Sequence, residues 1–114
     1  MTDFLLAQVQ LKYGPANLAR YQAAMATIQE LFESQGIKLV AGTVTRVGPQ
    51  YEAFNLWRIE DQGHLERALD AIMSASDPGV PVALAELSAT IEREQTRFLE
   101  ALPFGDVSPP SGRH

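Results

Sequence analysis

The sequence predicts an α+β domain whose elements follow in the order β-α-β-β-α-β, with a short helix before the last strand. Three observations point to this order. Apolar and polar residues alternate in segments 4–13 and 51–59, which is the pattern of half-buried strands. Apolar residues recur every three or four positions in segment 16–35, which is the pattern of an amphipathic helix. Glycine-proline pairs at 14–15 and 48–49 separate these segments.

The first predicted strand is FLLAQVQLKY at 4–13, and a helix follows at 16–35. One face of the strand is apolar and consists of Leu5, Ala7, Val9 and Leu11. Pro15 suits the first turn of the helix, because an N–H group at that position has no partner within the helix. Gly36 follows the helix, where a left-handed residue commonly ends the last turn. The helix has an apolar stripe made of Leu18, Tyr21, Met25, Ile28 and Phe32, with Leu31 beside it.

The next two segments, 37–48 and 51–59, predict an antiparallel hairpin around a turn at 48–50. Gly42 lies inside the first of these strands and indicates either a bulge or another group close to the backbone. Alternation divides the second strand into two faces. One face carries Tyr51, Ala53, Asn55 and Trp57, and the other carries Glu52, Phe54, Leu56 and Arg58.

A second helix follows, with Asp61 as its predicted N-cap and an end near 76–79. Residues 80–102 fit two alternatives. Their apolar spacing favours one continuing helix, whereas the topology favours a short helix and then a final strand. After a domain at 1–104, residues 105–114 form a polar tail rich in proline, glycine and serine.

This order of elements is that of the ferredoxin-like fold, in which helices cover one face of a four-stranded antiparallel sheet. The other face of the sheet then needs a cover. Two copies that pair sheet to sheet across a two-fold axis would supply it. We therefore expect a homodimer through the sheet face, in which Arg58 pairs with a carboxylate across the interface.

Composition excludes several function classes. The chain has 114 residues and a net charge of −5, so it lacks the basic surface that nucleic acids need, and anionic membranes are disfavoured too. It contains no cysteine, and its two histidines stand fifty residues apart without a metal-binding motif. It has no glycine-rich phosphate loop and no serine-nucleophile motif. We expect a cytoplasmic protein, of bacterial origin by its alanine content, without a metal or a cofactor.

Asn55 and Trp57 are the first candidates for a binding site, because they share the strand face that would look toward the helices. In one interpretation the Asn55 amide bonds a ligand carbonyl or oxyanion above the Trp57 indole. In the other, Asn55 bonds protein groups or a buried water and Trp57 is part of the core. His64 is either a general base at the mouth of a pocket or a surface residue of the second helix. Tyr21 is either a hydroxyl that points into the cleft or a packing residue.

Four segments resemble the NIPSNAP-like members of the dimeric α/β-barrel group. They are QLKYG at 10–14, NLW at 55–57, Asp77-Pro78, and TRFLEALPF at 96–104. The resemblance covers most of residues 4–104. It implies a dimeric barrel, and it implies that residues of about 89–102 form the fourth strand.

The chain departs from the family pattern at positions that face the cleft. Leu5, Ala7 and Val9 stand where the family commonly has Glu, Arg and Tyr. Asn55 replaces a histidine before Leu-Trp, and Glu100-Ala101 replaces Arg-Pro. These changes predict a more apolar pocket with fewer titratable groups.

By analogy with related dimeric barrels, the resemblance implies a cofactor-free enzyme of the oxygenase, cyclase or isomerase type on a hydrophobic small molecule. The expected catalytic residues are His64 and Tyr21. The expected substrate-binding residues are Asn55, Trp57, Tyr51, Val9 and Met25. Two alternatives stay open, a non-catalytic small-molecule-binding or accessory protein and a protein-interaction module.

Overall fold

The computed structural model of the protein describes residues 3–48 and 50–102. It contains the predicted elements in the predicted order. In chain order they are β1 (Asp3–Leu11), α1 (Pro15–Ser34), β2 (Lys38–Val44), β3 (Glu52–Ile59), α2 (Gln62–Ser74), α3 (Gly79–Thr90) and β4 (Ile91–Glu100). The predicted tail at 105–114 lies outside the described residues.

The four strands form one sheet in the order β2-β3-β1-β4, and every neighbouring pair is antiparallel. This topology confirms the ferredoxin-like prediction. The register places Ala7 of β1 opposite Asn55 of β3 and, on its other side, opposite Thr96 of β4. In the same way Val9 lies between Ala53 and Glu94. Because side chains alternate along a strand, these residues all project from the side of the sheet that the helices cover.

The core lies between this side of the sheet and the helices, in two clusters. The first surrounds Trp57 and Ile37, and the second surrounds Val9 and Tyr21. The other side of the sheet carries Leu6, Phe54 and Leu56, which are half-buried. The sheet is therefore asymmetric, with a packed face toward the helices and a partly covered apolar face away from them.

Residues 80–102 form a short helix and a strand, as the topology and the resemblance indicated. The continuing-helix alternative is wrong from residue 91 onward. Thr90 ends α3, where its Oγ1 donates to the Glu86 carbonyl at 2.7 Å, and Ile91 has an extended backbone. From there β4 pairs with β1 along its whole length. The side chains of this stretch stay largely exposed, so their helical spacing gains little from burial. The hydrogen bonds between β4 and β1 therefore determine its structure.

Gly36 and Asp61, at the ends of the helices, adopt the predicted conformations, whereas the irregularity in β2 is displaced. Gly36 has φ 82°, which is the left-handed conformation expected after α1. Asp61 caps α2, because its Oδ1 accepts from the His64 backbone N–H at 2.8 Å. In β2 the irregularity in register falls at Val40 rather than at Gly42. Gly42 instead has another group close to its backbone, because a Cβ atom there would lie 3.3 Å from Asn55 Oδ1.

Candidate ligand cavity

A cavity of about 260 Å³ lies between the helix-covered side of the sheet and the three helices. We call it the central cavity. Its wall is almost entirely apolar. The side chains that bring oxygen atoms to it are Tyr21, Asn55, Glu94 and Thr96. Such a site, mainly apolar with a few convergent polar groups, has the usual composition of small-molecule pockets.

Part of the lining of the central cavity, on α2, α3 and β4, is exposed to solvent. Leu69 and Met73 of α2 and Leu84 of α3 line the cavity and are also exposed to solvent. Exposed apolar side chains at an opening give a hydrophobic molecule a path from water to the interior.

A hydrogen bond between α1 and β3 forms the polar end of the cavity. Asn55 Nδ2 donates to Tyr21 Oη at 2.7 Å, and the two residues are only 6% and 5% exposed. Loss of water raises the pKa of the Tyr21 hydroxyl, the hydrogen bond from Asn55 partly opposes this, and the Glu94 charge raises it further. Tyr21 therefore keeps its proton at neutral pH. Since Oη accepts from Asn55, that proton can be donated to a ligand.

Glu94 brings a carboxyl group to the opposite wall of the cavity. Its position on β4, beside Val9 of β1, directs the side chain to the helix-covered side of the sheet. Glu94 as a whole residue is exposed to solvent. The surrounding protein still removes part of the water around its carboxylate, and this loss of water raises the pKa of the carboxyl group. None of the ion pairs within residues 3–48 and 50–102 includes Glu94. Its charge is therefore available to a ligand.

Five of the seven expected site residues meet in this cavity, namely Val9, Tyr21, Met25, Asn55 and Trp57. Trp57 is 2% exposed and packs edge-on against Phe32, with 4.9 Å between the ring centroids. It therefore presents a fixed surface to the cavity. Leu5, Ala7 and Val9 supply the apolar wall in place of the family's usual Glu, Arg and Tyr.

His64 is not at the mouth of the cavity, and it is not a surface residue either. It is 8% exposed, and both ring nitrogens contact backbone. Nδ1 accepts from the Glu60 N–H at 3.0 Å, so Nε2 carries the proton and donates to the Gln35 carbonyl at 2.7 Å. This geometry favours a structural role, in which the ring ties the start of α2 to the loop after α1.

Tyr51 also lies away from the central cavity. It follows the turn after β2 with φ 60°, and its ring packs edge-on against Tyr13 at 5.0 Å between centroids. The alternation of β3 placed it on the same face as Asn55, but β3 begins only at Glu52. Tyr51 nevertheless packs against the cluster of Val9, Leu11, Tyr21 and Ala53, so it lies on the predicted face but outside the lining of the cavity.

Glu94 and Thr96 are the polar residues of the cavity lining that sequence analysis missed. The alternation that includes Phe98 would have placed both residues toward the helices, once residues 91–100 were assigned to a strand. The competing helical interpretation of this segment hid that signal.

Within the described residues no group of three or more His, Asp or Glu side chains could hold a metal ion. In the same part of the chain, no helix combines the length and the apolar character that crossing a membrane requires.

The NIPSNAP family model matches residues 6–106. The chain belongs to the NIPSNAP family. A NIPSNAP family protein of unknown function from Agrobacterium tumefaciens has a similar structure, with a TM-score of 0.77 at 20% identity over 94% of each chain. An uncharacterized NIPSNAP-like domain protein from Burkholderia xenovorans has a TM-score of 0.75 at 19% identity, over 96% of this chain and 92% of that one.

A further similar structure is SnoaB, a cofactor-independent oxygenase from Streptomyces nogalater. Its TM-score is 0.62 at 18% identity, over 89% of this chain and 93% of that one. No curated protein matches the chain. At these identities the likenesses establish the shared fold of this NIPSNAP protein.

Proposed function

We propose that this NIPSNAP protein is a cofactor-free enzyme that moves a proton within a hydrophobic carbonyl compound held in the central cavity. The observation that carries the proposal is the arrangement of polar groups in an otherwise apolar cavity. A neutral Tyr21 hydroxyl, oriented by Asn55, stands at one wall, and the partly desolvated Glu94 carboxyl stands at another. A donor and a base in one water-poor site are what enolisation requires.

The substrate binds through its apolar body. Among the described residues, none that lines the cavity is positively charged, so the substrate is expected to be neutral. Its carbonyl oxygen accepts from Tyr21 Oη, which fixes the orientation of the molecule.

The chemical step is a proton transfer. The Glu94 carboxylate accepts a proton from the carbon next to the carbonyl, the electron pair of that C–H bond forms a C=C bond, and the π pair of the C=O bond moves to the oxygen. The Tyr21 hydroxyl stabilises the resulting oxyanion, because its raised pKa keeps it a donor. In an unsaturated ketone the enolate is conjugated with the C=C bond, and Glu94 then returns the proton to the far carbon of that system while the C=O bond re-forms. The sum is an isomerisation that consumes no electrons.

The similarity to SnoaB favours a second candidate, cofactor-free oxygenation. It would begin with the same proton removal, and the enolate would then react with O₂. Binding without catalysis stays the alternative to both, since the cavity alone would serve it.

Deuterium exchange separates these functions. A panel of neutral aryl ketones and cyclic enones is screened by quenching of Trp57 fluorescence, and those that bind are incubated with the protein in D₂O. We expect the protein to speed exchange next to the carbonyl, and Glu94→Gln to lower this rate at least about a hundredfold. Glu92→Gln is the matched control, because Glu92 lies on the same strand outside the cavity lining.

Three results distinguish the candidates. Binding with exchange and no O₂ uptake favours isomerisation, whereas O₂ uptake that depends on Glu94 favours oxygenation. Binding without either reaction would leave a ligand-binding protein and end the enzyme proposal.

We also propose that two copies pair through the sheet face that the helices leave uncovered. Leu6, Phe54 and Leu56 give this face an apolar centre, and a second copy would remove it from water. Leu56→Glu should then convert a dimer into monomers in analytical ultracentrifugation. Val82→Glu, on an exposed part of α3, should leave the dimer unchanged. A wild-type monomer at micromolar concentration would refute the pairing.

A further inference from the structure

A second cavity, also of about 260 Å³, lies between α1 and the helix-covered side of β2 and β3. We call it the β2-side cavity. It shares Tyr21, Met25 and Asn55 with the central cavity, so these three side chains form the partition between the two. Gln22, Ala26 and Gln29 of α1 line its other wall, and none of the described residues that line it carries a charge.

The two ends of the Asn55 amide serve different cavities. Nδ2 donates to Tyr21, whereas Oδ1 is directed toward β2, 3.3 Å from the position that a Cβ atom on Gly42 would occupy. Within residues 3–48 and 50–102 no group donates to Oδ1. Asn55 as a residue is only 6% exposed, and its Oδ1 faces the β2-side cavity without a protein partner. An acceptor on an otherwise buried side chain, left without a protein partner, can bind a molecule that enters the cavity.

Gly42 keeps that space open. It pairs with Asn55 across the two strands, so a side chain at 42 would project into the cavity beside Oδ1. The backbone at Gly42 is in an ordinary conformation, since its φ is not among the positive values. Backbone geometry therefore does not require glycine here, and the need for room beside Asn55 explains it instead.

We propose that the β2-side cavity is a second binding site, for a small neutral molecule with an apolar body and one N–H or O–H donor that bonds Asn55 Oδ1. The uncharged lining selects against ions, and the single orphan acceptor selects for one donor. The cavity is large enough for a ring system, since engineered cavities of about 150 Å³ hold benzene. The site uses the Asn55 amide but does not depend on the reaction proposed for the central cavity.

Indole and benzofuran test this site, because they match in shape and only indole donates an N–H. Each is titrated into the ¹⁵N-labelled full chain while the backbone amide signals are followed. We expect indole to shift the signals of Gly42 and Ala53 and to bind roughly tenfold more tightly than benzofuran, the usual worth of one hydrogen bond.

Two substitutions close the cavity from opposite sides. Gly42→Ala places a Cβ atom against Asn55 Oδ1, and Ala26→Leu fills the space from α1 without touching the amide. Both should weaken indole binding at this site at least tenfold. Ala23→Leu, the same change on an exposed position of α1 outside the lining, is the control and should leave binding unchanged.

Several results would overturn the proposal. Equal affinity for indole and benzofuran would show that Oδ1 does not select the ligand. Shifts confined to residues of the central cavity, such as Leu87 and Ile91, would place the molecule elsewhere. Binding of neither compound up to its solubility limit would mean that water alone occupies the cavity. If Gly42→Ala fails to fold, Ala26→Leu against Ala23→Leu still decides the question.

Discussion

Two buried polar side chains, His64 at the start of α2 and Asn55 in the middle of β3, have opposite hydrogen-bonding environments. Both His64 ring nitrogens bond backbone groups, at 3.0 Å and 2.7 Å. Asn55 has one protein bond, to another side chain, and its oxygen faces a cavity. Both residues are more than nine-tenths buried, so burial does not distinguish them.

The comparison shows that residue type alone does not tell which buried polar side chain keeps a hydrogen-bonding atom without a protein partner. Histidine is the more usual catalytic residue, and its ordinary pKa suits proton transfer. In this chain its two nitrogens are already used to hold two loops together. The asparagine, which cannot titrate, is the residue with an atom left for a ligand.

The largest expected effect comes from His64→Ala. It leaves the Gln35 carbonyl and the Glu60 N–H without partners and opens a small void, so we expect it to lower the free energy of unfolding by about 3 kcal/mol. Urea denaturation measures this value. Glu66→Ala, on an exposed position of the same helix, should change it by less than about 0.5 kcal/mol.

The same variant decides whether His64 is structural or catalytic. At a temperature where His64→Ala is fully folded, its affinity for ligands of the central cavity and its rate of ligand deuterium exchange should match those of the wild type. A hundredfold loss of exchange in the folded variant would return His64 to the list of catalytic residues and break the contrast with Asn55.

Tyr21→Phe has the next largest effect. It removes the partner of Asn55 Nδ2 in a buried site, which should cost about 1–2 kcal/mol of unfolding free energy. Binding of a ketone in the central cavity should weaken roughly tenfold, because its oxygen loses the donor.

The double variant Tyr21→Phe with Asn55→Leu sharpens the comparison. Replacing both partners by apolar groups of similar shape leaves no orphan, so we expect it to recover most of the stability that Tyr21→Phe loses. No such rescue exists for His64, whose partners belong to the backbone. If the double variant is less stable than either single one, the Tyr21–Asn55 pair is a structural element like His64.

Sequence patterns could predict the fold because each element carries its own local signal. The stripe of α1, the Asp61 cap and the alternation in β1 and β3 depend on neighbours within one turn or one strand. Residues 80–102 were different. Their side chains permit a helix, and only the pairing of β4 with β1 determines the strand.

The candidate site was predictable only where alternation and helical stripes apply. They placed Val9, Tyr21, Met25, Asn55 and Trp57 on the faces that line the cavity. They could not place His64, because its partners are backbone groups of Gln35 and Glu60, and loop geometry has no period. The polar pair of Tyr21 and Asn55 likewise joins residues 34 positions apart, which a single sequence does not reveal.

The smallest expected effect on stability concerns Glu94 and depends on pH. Its carboxyl has a raised pKa in the folded protein, so the fold binds the proton more tightly than the unfolded chain does. The resulting stabilisation is complete below the ordinary value of 4.5 and is lost as the pH rises through the folded-state pKa. Relative to Glu94→Gln, the wild type should therefore lose stability over this range, by a small amount because the residue is partly exposed.

The activity should change in the opposite direction over the same range, since a general base acts as the carboxylate. The rate of deuterium exchange of the bound ketone is expected to rise with pH. The midpoint of this rise should lie above 4.5, the ordinary pKa of a glutamate. Urea denaturation and exchange rates measured from pH 4 to pH 8 on one preparation test both signs. If Glu92→Gln alters stability as Glu94→Gln does, the effect belongs to the net charge of β4. If activity falls where the carboxylate forms, Glu94 is not the base.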